Sequence, residues 1–395
     1  MTFQYKVKDP LGNTHEGTVD AASVEEATQQ LRRDGFQVLD LDEADSGGLF
    51  PKRISKQEII YLTGQLAIMV DTGITLSAAL DGIVEQEPNP SFRKVLTELK
   101  ESVEGGEDFS KALSRYPKLF DKTYIALVKA SEATGSLGPM LERIATYLRK
   151  EVETRGRVRA AMAYPAVMML IATGVTIFLL TYILPKFTPL FESKGTELPT
   201  PTIIMMALSD TMLGYWYAWL AGFAALVAGF MYGKRTEPGR KVLDWVKINS
   251  PIIGPMFRKV TISRGIRTLG TMLASGVPVI DSLKLASEVS GNFYYEKLWE
   301  KVLNEVEGGK RICEVLSGDP LFPRVLVQMI AAGEETAKLD SVLEKVSTYY
   351  DHEVETSLKA TTSIIEPIMI SVMGVVVGTI GLGLLLPIFS LSKQP

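Results

Sequence analysis

The sequence is poor in the side chains that most enzyme chemistry requires. It holds one cysteine, Cys313, so no intrachain disulfide can form. Its two histidines, His15 and His352, lie far apart with no second His or Cys near either, which leaves no zinc-ligand spacing. No G-x-x-x-x-G-K-[ST] loop occurs. Gly308-Gly309-Lys310-Arg311 looks phosphate-like, but position 304 is Asn and no Ser or Thr follows the lysine. A G-x-S-x-G elbow, an H-E-x-x-H helix and a Cys/His couple are also missing. Neighbouring carboxylates such as Glu85 and Glu87, or Glu334 and Glu335, read as solvated faces. We therefore expect no catalytic residues, no cofactor, no metal site and no enzymatic activity. A basic excess is lacking too: the net charge of −4 and pI near 5.6 argue against a nucleic-acid partner. The first residues, Met1 to Lys6, lack the apolar run of a signal peptide, so the chain is expected to start in the cytosol and to insert through internal segments.

What is present is apolar and blocked. Residues 165–184 (PAVMMLIATGVTIFLLTYIL), 213–232 (LGYWYAWLAGFAALVAGFMY) and 367–389 (PIMISVMGVVVGTIGLGLLLPIF) contain no Asp, Glu, Lys or Arg. Each is long enough to cross a hydrocarbon core about 30 Å thick as a helix. Tyr215, Trp216, Tyr217, Trp219 and Tyr232 bracket the second run as an interfacial belt would. Basic residues cluster before the first run (Arg149, Lys150, Arg155, Arg157, Arg159) and after the second, where residues 233–267 hold nine Lys/Arg against Glu237 and Asp244. The 185–212 connection has only Lys186 and Lys194, and the tail only Lys393. The positive-inside bias thus predicts a cytoplasmic N-terminus, two cytoplasmic charged regions and an extracytoplasmic C-terminus.

The chain also repeats itself. LAIMVDTGITLSAAL at 66–80 aligns with LGTMLASGVPVIDSL at 269–283, and Glu104-Gly105-Gly106 with Glu307-Gly308-Gly309. After a one-residue deletion Glu132 meets Glu334, Leu141 meets Leu343, Tyr147 meets Tyr349, Pro165 meets Pro367 and Pro185 meets Pro387. The unit is a helical domain followed by one span. The middle span has no counterpart, and topology requires it to bring the chain back between two identical in-to-out units. Ile59, Leu62, Leu66, Met69 and Val70 recur at helical steps. Gly73 and Gly276 follow such helices as left-handed terminators would. Glu132, Gly135 and Glu334 are candidate structural residues of the repeat. Near the N-terminus, FQYKV, THEGTV and FQVLDL read as strands around a helix that opens at Ser23 and Glu26.

These readings combine into a mainly α, polytopic membrane protein with two repeated cytoplasmic helical bundles, three transmembrane helices and a small N-terminal ββαβ module. The expected divisions are the N-terminal module at 1–42 and a linker at 43–55. The first helical domain follows at 56–164, a span at 165–185, an extracytoplasmic loop at 186–212 and a span at 213–232. The second helical domain occupies 233–366, the last span 367–389 and a tail 390–395.

The stretch from Arg157 through Ala-Tyr-Pro at 163–165 to the closing Ile-Leu-Pro at 183–185 closely resembles the signature of the type II secretion F / type IV pilus assembly C family. So do SEATGSLGPML at 131–141, GEETAKLDSVL at 333–343 and the ending LLLPIF. The resemblance covers essentially the whole chain. It implies a platform in the bacterial inner membrane at the base of a type IV pilus or type II secretion machine. There a cytoplasmic hexameric ATPase would engage its cytoplasmic domains and pass motion to prepilin or pseudopilin subunits. Other inner-membrane assembly proteins and a small homo-oligomer are implied as well. Some members bind calcium in the first helical domain. Here Tyr147-Leu148-Arg149-Lys150 is basic where a ligand would be wanted, so that site is not carried over.

Two sets of contact residues are expected on this reading. Tyr164, Pro165, Glu366 and Pro367 occupy the membrane entrances, where proline kinks a helix or removes a backbone bond. Glu366 would pair with a base from 155–159 or meet a neighbouring chain. Arg155, Arg157, Arg159, Arg264 and Arg267, with Arg258 and Lys259 beside them, would offer cations to the motor or to lipid headgroups. A channel or transporter is the first rival, opposed by uncharged spans and only three helices, and a liposome flux assay discriminates it. A signalling receptor is the second, opposed by the absence of an output domain.

Overall fold

The computed structural model describes residues 2–8, 14–21, 23–33, 35–43, 53–187 and 200–392. Strands β1 (Thr2–Lys8), β2 (Thr14–Asp20) and β3 (Gln37–Glu43) form an antiparallel sheet in the order β2-β1-β3, with helix α1 (Val24–Arg33) between β2 and β3. This is the expected ββαβ module. Val7, Ala27 and Leu31 are buried in it.

The chain then divides into two compact units, residues 1–145 and 146–395. The first adds α2 (Lys56–Asp71), α3 (Leu76–Gln86), α4 (Pro90–Glu104), α5 (Phe109–Ser114), α6 (Lys122–Thr134) and the start of α7 (Leu137–Phe178). Local chemistry fixes these ends. Ser55 and Glu58 form a reciprocal capping box on α2, and Thr75, Asn89 and Asp121 accept from the first turns of α3, α4 and α6. Leu62, Leu66, Leu80, Phe92, Leu96, Phe120 and Leu127 are buried, and Thr63 and Tyr124 share a buried hydroxyl pair at 3.1 Å.

The second unit carries the rest of α7, which continues through a π-helical segment at Leu179–Ile183. It then holds α8 (Thr200–Gly214), α9 (Trp216–Arg235), α10 (Glu237–Asn249), α11 (Gly254–Ala274), α12 (Val279–Val289), α13 (Phe293–Glu307), α14 (Ile312–Leu316), α15 (Arg324–Glu335) and α16 (Leu339–Ser392). The helix order α2 to α7 recurs as α11 to α16, as the repeat requires. Trp299 is the centre of the second core, edge-on to Phe322 at 5.5 Å and packed among Ile266, Leu283, Tyr295 and Leu326.

Among the described residues, three helices are long and apolar enough to cross a membrane: Leu137–Phe187, Trp216–Arg235 and Leu339–Gly383. Only 11%, 0% and 6% of their most apolar windows are buried within the chain, so these surfaces need a non-aqueous surrounding. One expectation needs correction. Part of the segment read as an extracytoplasmic loop, 186–212, is the helix α8. Gly214 ends it and Tyr215, at φ −118°, breaks it from α9. The expectations for residues 188–199 and 393–395 lie outside the described residues.

Candidate functional site

The repeat residues act on backbone. Glu132, on α6, accepts from the Ser110 N–H at 2.8 Å and from its hydroxyl at 2.5 Å. Glu334, on α15, accepts from the N–H groups of Ile312 and Cys313 at 2.7 and 2.9 Å. Neither α5 nor α14 has a side-chain cap of its own, so a carboxylate from the next helix satisfies donors that have no partner within the helix. Burial, with Glu334 second, pushes the Cys313 thiol up to about 11. Gly73 and Gly276 end α2 and α11 at φ +91° and +76°, each with the paired carbonyl bonds of a Schellman turn. Gly135 ends α6 at φ +69°. Its counterpart in the second copy is Ala337, at φ +53°, a region in which a side chain is strained.

At the first membrane entrance Pro165 is buried inside α7 without ending it, and Tyr164 is exposed. At the second, Glu366 and Pro367 are both exposed and α16 runs through them. Glu366 forms no ion pair among the described residues. The expected bond from Glu366 to the 155–159 segment does not form: Arg155 pairs with Glu151 at 2.5 Å, and Arg157 pairs with Glu153 at 2.6 Å and Glu355 at 3.1 Å.

The arginines do not share one exposed face. Arg267 is buried, bonded to Asp351 and 3.2 Å from the Ser263 hydroxyl, which itself donates to Asp351 at 3.0 Å. It holds α11 to α16, and its use as a surface contact is corrected by that burial: exposing it would break its pairing with the partly buried Asp351. Arg258 is tied to the Ile248 carbonyl at 2.7 Å and to Asn249, and Lys259 to Glu353 at 2.7 Å. Arg159 and Arg264 remain without a hydrogen bond or ion pair among the described residues.

The sequence reading missed what α8 does. The hydroxyl of Ser209 donates to the Leu180 carbonyl at 2.7 Å, and that of Thr202 to the Gly383 carbonyl at 2.7 Å; both hydroxyls are buried. Each acceptor has lost its backbone donor to a proline. In the π-helical register the Leu184 N–H reaches Leu179, five residues back, so Leu180 would await residue 185, which is Pro185. In α16 the donor four residues beyond Gly383 would be residue 387, which is Pro387. Pro185 and Pro387 are the repeat pair that closes spans one and three. Met205 of α8 packs with Leu180, Leu184 and Ile380, and Gly383 leaves the room it occupies: a Cβ there would lie 2.5 Å from its sulfur. The helix α8 therefore supplies two buried hydroxyls to two carbonyls whose backbone donors the prolines remove.

The same architecture is found in known proteins. The family described as Type II secretion system (T2SS), protein F matches twice, over residues 62–185 and 266–387. Its N-terminal domain matches residues 1–42. The type IV pilus assembly protein PilC of Myxococcus xanthus is 36% identical over 400 residues, covering 99% of this chain and 95% of that protein. The protein of that name from Thermus thermophilus is 36% identical over 397 residues, 98% of each. The type II secretion system protein F of Pseudomonas aeruginosa is 29% identical over 401 residues, 99% of this chain and 98% of that protein.

Proposed function

The chain belongs to the type II secretion system protein F family, and from that premise we propose that it is the inner-membrane platform of a type IV pilus or related secretion machine. The observation that carries the reading is the end-to-end match of a duplicated architecture: both helical repeats, both repeat-linked spans and the N-terminal module. The higher identity to proteins named for pilus assembly (36%) than to one named for secretion (29%) favours a pilus machine.

The platform has no chemistry of its own to perform; its task is to transmit movement. A cytoplasmic hexameric ATPase engages the helical domains, and the displacement reaches prepilin or pseudopilin subunits as they leave the bilayer. Long helices continuous from charged region into apolar region, α7 and α16, are the elements that suit such transmission. The N-terminus and both charged regions lie in the cytoplasm and the C-terminus outside, as the Lys/Arg bias favours. The working divisions remain 1–42, 43–55, 56–164, 165–185, 186–212, 213–232, 233–366, 367–389 and 390–395, with α8 starting in the fifth and ending two residues into the sixth. The protein acts as a homo-oligomer beside other inner-membrane assembly proteins. Glu366, exposed between Ile364 and Ile368 at a membrane entrance, is a contact for a neighbouring chain or a pilin segment.

The test is deletion of the gene and complementation by the wild-type chain and by Glu366→Gln, scoring membrane level, surface fibres and secreted protein. Loss of fibres on deletion with restoration by the wild type supports the reading. Unchanged fibres and unchanged secretion on deletion refute it. Loss of fibres with Glu366→Gln at normal membrane level supports the contact, and normal fibres refute it.

A further inference from the structure

A cavity of about 310 Å³ opens in the second unit beside the cytoplasmic end of the first span. Its walls carry four cationic side chains, Arg155, Arg159, Lys247 and Arg264, and no carboxylate. Two of the four are neutralised from behind: Arg155 by Glu151 at 2.5 Å and Lys247 by Asp244 at 2.6 Å. Arg159 and Arg264 form no ion pair among the described residues; the Glu151 carboxylate attracts Arg264 from farther off, but burial and the neighbouring Arg155 outweigh it. Arg264 is half-buried, and its guanidinium lies over Gly291, where a Cβ would come within 2.7 Å of a guanidinium nitrogen. Burial first, then the nearby Arg155, press its pKa below the ordinary arginine value. A half-buried guanidinium with no directly paired carboxylate costs free energy, which an anion bound in the cavity would offset.

The fold does not demand these charges. At the corresponding positions of the other repeat stand Tyr61, Ser357 and Thr361 in place of Arg264, Arg155 and Arg159. The cationic set is thus specific to one side of a duplicated architecture. The helices that carry these arginines add an apolar lining, Val158 and Met162 from α7 and Phe257 and Val260 from α11. Arg159 precedes Pro165 by six residues, about 9 Å along a helix, which places it at headgroup level once α7 enters the bilayer. Guanidinium pairs match phosphate oxygens with directed N–H bonds.

We propose that this cavity binds a phosphate-bearing anion, with Arg159 and Arg264 as the phosphate ligands and the apolar lining seating the stem that carries the phosphate. The binding chemistry is independent of the machine in which the chain works. Membrane placement bears only on the source: an anionic phospholipid headgroup or free phosphate.

The full chain, purified in a neutral detergent, is examined by native mass spectrometry with added phosphatidylglycerol or phosphatidylcholine, and by thermal melting with added inorganic phosphate. Phosphatidylglycerol is expected to be retained in preference to phosphatidylcholine and to bind about tenfold more weakly in Arg264→Gln, the loss of one charge-assisted contact. The exposed variant Arg159→Gln, whose folding is not at risk, should give a loss of the same order. Lys234→Gln, which removes a cation from α9 outside the cavity, should bind as wild type. If inorganic phosphate alone raises the melting temperature of the wild type but of neither arginine variant, and competes the lipid away, the site stands and free phosphate is its source. If neither ligand binds, if both arginine variants bind as wild type, or if Lys234→Gln loses as much as they do, the proposal is overturned.

Discussion

Replacing Thr202 by Val removes one hydroxyl and almost no volume, and the repeat-related prolines make its cost predictable. The hydroxyl donates to the Gly383 carbonyl at 2.7 Å, and Pro387 cannot. Hydroxyl bonds between membrane helices contribute about 0.6 kcal/mol on average and up to about 1.7. Here the acceptor has no backbone alternative and the hydroxyl is buried, which puts the expected loss at the upper end, about 1–2 kcal/mol. Ser209→Ala, acting on the Leu180 carbonyl, should cost about as much. The discriminating variant is Pro387→Ala, which returns an N–H four residues beyond Gly383. In that background the carbonyl has a donor, and Thr202→Val should cost no more than about 0.5 kcal/mol, giving a coupling near 1 kcal/mol. The assay is unfolding of the full chain in mixed micelles by rising SDS, followed by tryptophan fluorescence; Trp216 and Trp219 lie just beyond α8 on α9. An equal cost of Thr202→Val with and without the Pro387→Ala substitution would refute the argument that the hydroxyl substitutes for the missing N–H.

Ala337→Gly should stabilise the chain by about 0.5–1 kcal/mol in the same unfolding assay, because Ala337 sits at φ +53°, and Gly135→Ala should destabilise it by about 1–2 kcal/mol. Glu334→Ala orphans two N–H groups of α14 and should cost about 1–3 kcal/mol, whereas Cys313→Ser, which installs the residue the first copy has at Ser110, should be near neutral. With its thiol held near 11, Cys313 should label slowly with a maleimide at neutral pH wherever it lies. Topology is therefore read in the Cys313→Ser background with single cysteines placed in 188–198 and at exposed Lys345: labelling of intact inner membranes at the first and not the second is expected, and the reverse refutes the orientation. Acid should weaken α7, which holds the Glu153–Arg157 pair, and the contact of α16 with α11, which holds Glu353–Lys259. Arg157 holds the Glu153 carboxyl below the ordinary carboxylate value and Lys259 does the same for Glu353, so their stabilisation is complete above about pH 4.5 and is lost as pH falls through the depressed values. Melting temperature should be flat from about pH 7 to pH 5 and decline below about pH 4, by less in Lys259→Gln, an effect kept small by exposure.

Architecture was legible because it rests on periodicity, and partners inside the fold were not, because they rest on pairing. The duplicated helices, the strands around α1 and the uncharged spans each follow from local pattern, and α2 and α11 end where Gly73 and Gly276 predict. The arginines misled because a cation's role is decided by what faces it. Arg264 and Arg267 stand one turn apart on the same helix and look alike in sequence, yet Asp351 meets Arg267 and no carboxylate among the described residues pairs with Arg264. The α8 helix was hidden for a different reason: residues 200–214 are too short to span a bilayer and are spotted with Thr, Ser and Asp, so composition reads them as a connection. The missing step was to ask where the carbonyls freed by each proline find donors. Pro185 and Pro387 were visible as a repeat pair, and each proline in a helix leaves one acceptor about a turn behind it. Two such acceptors at the same end of two equivalent spans require two donors that come from neither span. The apolar chain between them offers Thr202 and Ser209, seven residues apart, two helical turns on one face. A helix unique to the middle of the chain is thereby explained by a defect common to both repeats.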